Sequence, residues 1–183
     1  DAQPATYKLH PIPTIDPVAA TEQFGESGPW LDRLPHFKLD FTPSVGDEIQ
    51  SEFFVHRTDA AAVISVLRKL SLRFRHMLWI SEVRTVAADS LWMSTAFLRD
   101  SAAFHFTWKK SNFDQAVVQE IELHLQEFNC RPHWGKVFYA DASYLKRVYP
   151  NFEKFIALTK EIDTSGKFGN VFTDTLFAGK LNA

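Results

Sequence analysis

The sequence predicts an α+β fold, an antiparallel sheet with helices packed on one face and short helices at the C-terminal end. Three observations predict it. The segments with strand and helix periodicity run strand–helix–strand–strand–strand–helix–strand, an order that suits an antiparallel layer covered by helices. Hydrophobic residues make up 45% and aromatic residues 14% of 183 positions, enough to bury a sizeable core. From about residue 140 onward, strand-like sequence gives way to short helical stretches. The expected organisation is a Pro-rich irregular segment at 1–47, a sheet-containing core at 48–140 and a helical segment at 141–183.

Residues 1–47 carry Pro4, Pro11, Pro13, Pro17, Pro29, Pro35 and Pro43, too frequent for long helices or central strands. Gln50 to Arg57 reads as a strand with Phe53 and Val55 on one face and Phe54 on the other. Thr58-Asp59 is expected to cap a helix running to about Arg73 that buries Val63, Val66, Leu67 and Leu70. A strand follows over 78–86, then a turn at Ala88-Asp89-Ser90 and a short strand at Leu91-Trp92-Met93-Ser94. Ala102 to Lys109 reads as a strand with Phe104, Phe106 and Trp108 on the core face and Ala103, His105 and Thr107 opposite. Asn112 is expected to cap a helix to Phe128, burying Val117, Val118, Ile121 and Leu125. Arg131 to Tyr139 is extended or looped. Helices at about 141–148 and 151–161, a turn at Asp163 to Gly166, and a last short helix within 168–178 complete the chain.

Composition excludes several classes. Twenty basic residues against 22 acidic ones give a net charge of −2, with no electrostatic case for nucleic acid or a membrane surface. The aromatic residues lack an accompanying basic stripe, and no apolar run reaches the length of a membrane span. The single cysteine, Cys130, rules out an internal disulfide and a multi-thiolate zinc site, and fits a cytoplasmic, reducing location. The opening Asp1-Ala2-Gln3-Pro4, with neither Met nor an apolar leader, suggests a processed product or an excised fragment.

Three places put polar groups where a sheet face should be apolar. In the strand 78–86, Glu82 and Arg84 share a face with Ile80 and Val86, so two charges occupy core-type register. His105 and Thr107 are the second place. Arg131-Pro132-His133-Trp134-Gly135-Lys136 is the third, where Gly135 allows close backbone approach and the aromatic neighbour is expected to hold Lys136 in place. If these segments meet, acid, guanidinium and ammonium groups offer paired acceptors and donors to a small polyhydroxylated ligand. The same residues, read singly, are a structural ion pair, satisfied histidines and a solvated lysine. Residue types and spacing therefore leave both readings open and name no reaction. Neither a Gly-rich phosphate loop nor a His-x-x-x-His metal spacing occurs.

Ser81-Glu82-Val83-Arg84-Thr85, Asp100 to Trp108 and Arg131 to Lys136 together resemble the C-terminal half of bacterial alditol (xylitol) oxidases. These belong to the sugar-1,4-lactone oxidase group of the vanillyl-alcohol oxidase flavoproteins. The resemblance extends over Thr21-Glu22-Gln23, Gly28-Pro29-Trp30, Leu34 to Phe37, Asp40 to Ser44, Asp163, Gly166-Lys167-Phe168 and Asn170, nearly the whole chain. It implies that 48–140 is a substrate-binding cap domain and that 141–183 packs back on an FAD-binding domain. It also implies oxidation of the C1 hydroxyl of xylitol or sorbitol to an aldose, through FAD, with O2 reduced to hydrogen peroxide.

The family's substrate-binding positions fall on Gln50, Glu82, Arg84, Thr107 and Lys136, with His105 in the pocket wall. Arg84 and Lys136 are implied to bind the reacting hydroxyl as it gains alkoxide character, and Glu82 an adjacent hydroxyl while it orients Arg84. Gln50 and Thr107 are implied to bind hydroxyls further along. Lys136 and His133 are the implied flavin contacts within this chain. The chain departs from the family in lacking the FAD-binding half, so alone it is expected to bind no FAD stoichiometrically and to show no turnover. The partners implied are an alditol, O2 and the protein's own N-terminal FAD-binding domain. The alternatives are the substrate domain of a sugar-1,4-lactone oxidase and a stand-alone carbohydrate-binding or interaction module.

Overall fold

The computed structural model describes residues 5–10, 15–22, 24–33, 38, 40–41 and 46–177. Pro4, Pro11, Pro13, Gln23, Pro35 and Pro43, and with them the Leu34 to Phe37 stretch and most of Asp40 to Ser44, lie outside the described residues. The chain divides into two compact units, Asp1–Glu48 and Ile49–Ala183. In the first, Asp16 accepts from the Val18 N–H at the start of a 3-10 turn, Pro17–Ala19. A single helical turn, α1 (Trp30–Arg33), follows. The Arg33 guanidinium folds back onto the carbonyls of Glu26 and Ser27, and a Cβ on Gly28 would sit 2.5 Å from it.

The second unit is built on a four-stranded antiparallel sheet in the order β2-β3-β1-β4. Its strands are β1 (Glu48–His56), β2 (Leu78–Val86), β3 (Ser101–Lys109) and β4 (Arg131–Pro132). Helices α2 (Ala60–Phe74) and α3 (Gln115–Gln126) supply the apolar partners of one face. There Phe53, Val55, Phe104, Phe106 and Trp108 pack with Val63, Phe74, Val118, Ile121 and Leu125. The ring of Phe74 meets Phe106 edge-on at 5.9 Å and Trp108 at 6.1 Å, and the Trp108 N–H donates to Ser51 Oγ at 2.9 Å. Helices α4 (Ala142–Val148), α5 (Phe152–Ile162) and α6 (Val171–Phe177) join the same core through Tyr144, Leu145, Tyr149, Phe152 and Leu176.

Strand β2 alternates as expected, with Ile80, Glu82, Arg84 and Val86 half-buried and Ser81, Val83 and Thr85 exposed. Several local expectations are corrected. Leu91 to Ser94 is a turn and not a strand. Asp89 accepts from the Leu91 N–H and the Ser94 hydroxyl, and the Ser94 N–H bonds to the Leu91 carbonyl, so the segment closes on itself. Helix α3 is capped by Asp114, which accepts from the Ala116 N–H at 2.9 Å, because Asn112 is used in a 3-10 turn at Lys110–Asn112. That helix stops at Gln126, and Asn129 adopts the left-handed conformation (φ 51°) just beyond it. At α2, Asp59 makes no capping bond; His56 Nδ1 accepts the Thr58 N–H instead, and Val66 lies half-buried outside the core cluster.

Candidate functional site

The sheet face opposite α2 and α3 carries the polar side chains. Period-2 alternation puts Gln50, Glu52 and Phe54 of β1 on this face, because Ser51, Phe53 and Val55 point into the core. Across the β2–β3 ladder, Glu82 faces His105, Arg84 faces Ala103 and Ile80 faces Thr107. Strands about 4.8 Å apart separate β2 from β1 by roughly 10 Å. Arg84 spans that gap because Ala103, fully buried beneath it, has no bulk to block the guanidinium. Its NH1 donates to Glu52 Oε1 at 2.6 Å and its NH2 to Glu82 Oε2 at 2.7 Å.

Lys136 arrives from the other side of β1. The His133 N–H bonds to the Glu52 carbonyl and the Val137 N–H to the Gln50 carbonyl, so residues 134–136 loop out between two bonds to the same strand. This loop returns the Lys136 ammonium to Glu52 Oε2 at 2.6 Å. His105 closes the set, with Nε2 at 3.2 Å from Gln50 Oε1 and Nδ1 at 3.5 Å from Glu82 Oε1 without aligned hydrogen-bond geometry. Gln50, Glu82, Arg84, His105 and Lys136 are thus brought together. Thr107, buried, lies two residues from His105 on the same face.

The trio Arg84, Lys136 and Glu82 is joined through a residue that sequence reasoning missed. Glu52 is 4% exposed, and each of its oxygens takes one cation. A signal for it exists: a carboxylate on the same face as Gln50 and Phe54, immediately before the apolar run Phe53-Phe54-Val55. Burial alone would raise the Glu52 carboxyl, but the Lys136 ammonium and then the Arg84 guanidinium outweigh it and hold it below the usual carboxylate range. For Arg84, partial burial would lower the pKa, and Glu52 and Glu82 reverse this. The His105 imidazole is pushed down to about 4, first by burial and then by Lys136, and is neutral at pH 7. Two carboxylates, two cations and a neutral imidazole leave the group without net charge, yet Arg84 and Glu82 stay partly open to solvent.

The turn around Trp134 differs from expectation. Trp134 does not hold Lys136: its N–H donates to the Met93 carbonyl and its ring packs on Tyr149 at 5.1 Å, anchoring the turn to the core while Glu52 holds the lysine. Gly135 is not demanded by space either, since a Cβ there would meet only His133 at an ordinary 3.5 Å. His133 stacks on Phe54, accepts the Gly135 N–H at Nδ1, and is held below its usual pKa by burial and then by Lys136. Among the described residues no cluster of His, Cys, Asp and Glu has the arrangement of a metal site, and no helix is long and apolar enough to cross a membrane.

Comparison with known proteins agrees with the resemblance. The chain is 44% identical over 179 residues to an alditol oxidase from a Streptomyces species, covering 97% of this chain and 43% of that protein. It is 30% identical over 111 residues to an L-gulono-1,4-lactone dehydrogenase of Mycobacterium tuberculosis, covering 61% of this chain and 25% of the relative. It is 27% identical over 101 residues to an L-gulonolactone oxidase of Mus musculus, covering 52% and 23%. The chain therefore spans less than half the length of these relatives. A sequence model of the D-arabinono-1,4-lactone oxidases matches residues 47–176, from the first sheet strand to the last helix and across every residue of the polar group, and the chain belongs to that family.

Proposed function

We propose that the chain is the substrate-binding part of an FAD-dependent alditol oxidase that converts the C1 hydroxyl of an alditol such as xylitol or sorbitol to an aldose, with O2 reduced to H2O2. Residues 48–140 form the substrate-binding core, and helices α4 to α6 of the segment 141–183 pack toward an FAD-binding domain. The observation that carries this reading is the joining of Arg84 and Lys136 through one buried carboxylate on the sheet face opposite α2 and α3. Two cations so held suit an oxygen that becomes negative during reaction.

Within the chain the residues divide the work. Arg84 and Lys136 donate to the reacting hydroxyl and favour it as it gains alkoxide character. Glu82 accepts from the neighbouring hydroxyl while its other contact orients Arg84. Gln50, Thr107 and the neutral His105 bind or flank hydroxyls further along, fixing the carbon that reacts. Lys136 fits the electron-rich edge of a flavin, since an ammonium with one recorded bond to Glu52 keeps further N–H groups to donate, and His133 sits in the same turn. FAD, when bound, supplies the acceptor for the hydride and returns the electrons to O2. On this reading the chain alone holds no stoichiometric FAD, and a yellow preparation of it would overturn that point.

A second reading, an aldonolactone oxidase, is favoured by the family's description and by the gulonolactone-acting relatives. Turnover of the full-length protein separates the two. Xylitol and sorbitol are expected to be oxidised with peroxide release at a kcat/KM about tenfold or more above an aldonolactone. Turnover of the lactone alone would reverse the assignment.

A further inference from the structure

Resting on the alditol-oxidase reading, we infer that Glu52 is a positioning residue that sets the separation of the Arg84 guanidinium and the Lys136 ammonium, so that both donate to a single substrate oxygen. Like charges do not approach one another on a sheet face without an anion between them. Here that anion is Glu52, with Oε1 on Arg84 and Oε2 on Lys136, both at 2.6 Å. The other partner of Arg84 is Glu82, two residues away on its own strand, which draws the guanidinium back toward β2. Only the pull of Glu52 brings it across Ala103 to the side where Lys136 stands. Lys136 sits on a turn, and among the described residues its recorded ion-pair partner is Glu52.

The exposures assign the roles. The side chain of Arg84 is 40% exposed and that of Glu52 is 4%, so a substrate meets the guanidinium and not the carboxylate beneath it. Glu52 also sits on an internal strand, flanked by β3 on one side and β4 on the other. A carboxylate placed this way acts through its two cations, and its loss is felt as a geometric error at the reacting oxygen.

Two measurements on the full-length protein test this. Glu52→Gln keeps the shape but turns an amide NH2 toward one of the cations. It is expected to lower kcat about 30-fold while KM changes less than about threefold, with Glu52→Asp recovering part of the loss. The second measurement does not depend on turnover. Acetylation of Lys136 by acetic anhydride, read by peptide mass spectrometry against the exposed Lys154, is expected to rise several-fold in Glu52→Gln. An unchanged labelling ratio, or unchanged kcat in a folded variant, overturns the assignment of Glu52. A wild-type protein that oxidises neither alditols nor aldonolactones overturns the functional reading instead, and the labelling ratio still decides whether Glu52 holds Lys136. If Glu52→Gln does not fold, Glu52→Asp is read in the same two assays with the same expected directions.

Discussion

Glu52 and Glu122 are both glutamates, 4% and 1% exposed, yet their carboxyls are driven in opposite directions. Glu52 has a cation on each oxygen and is held deprotonated. Glu122, on the buried side of α3, has no cation against it among the described residues; it accepts the N–H groups of Tyr139 at 2.6 Å and Ala140 at 3.0 Å. Burial pushes its carboxyl up to about 7, and the two backbone bonds offset only part of that. Depth therefore sets the cost of a buried charge, and the partners set the sign of the outcome. The first glutamate organises a charged, solvent-reaching group that suits chemistry. The second staples the segment before α4 to α3, its two backbone bonds favouring the charge that burial opposes.

Removing the partners of Glu52 is the harshest way to break the contrast. In the full-length protein, Arg84→Ala or Lys136→Ala is expected to cost about 10²-fold or more in kcat, and near-wild-type turnover in both would take them out of the mechanism. Next in size is the loss of the staple. Glu122→Leu leaves one buried and one half-buried backbone N–H group without acceptors and should destabilise the fold by about 2–4 kcal/mol, read from denaturant or thermal unfolding. A fall below about 1 kcal/mol would mean that those amides find other partners.

Acidity sharpens the contrast more gently. The folded pKa of Glu122, about 7, lies above its ordinary 4.5, so between these values the folded state holds the extra proton. Its contribution is full below about pH 4.5 and declines as pH rises to about 7, by on the order of 3 kcal/mol. Glu122→Gln removes that decline, and a variant whose pH–stability curve matches the wild type would refute the assignment. His105 acts the other way. Its folded pKa of about 4 lies below 6.5, so stability falls as pH drops from 6.5 toward 4 while the unfolded chain takes up the proton. In the wild type the two slopes oppose each other. His105→Asn, expected to give the smallest change, should uncover the Glu122 decline; a flat curve in that variant would exclude it.

Much of this was legible in local pattern. The stripe Phe104, Phe106, Trp108 marked a core face, and alternation in 78–86 set Glu82 and Arg84 together beside Ile80 and Val86. Helices α2 and α3 followed from their apolar spacing. What was misread involved competition between near-equivalent local choices. Asn112 and Asp114 are both good caps, and a strand-like Leu91 to Ser94 yields when Asp89 takes the Leu91 N–H and the Ser94 N–H turns back to the Leu91 carbonyl. Trp134 next to Lys136 suggested contact between them, but neighbours on a turn point to different places.

Side-chain alternation is a property of a few consecutive residues, so residue order alone was enough to settle which groups share a face. Which strand lies next to which is a property of the whole sheet. The order β2-β3-β1-β4 placed Glu52 between an arginine 32 positions later and a lysine 84 positions later. No local spacing encodes that meeting, because it exists only after the chain has closed loops of those lengths and packed one sheet face against its helices.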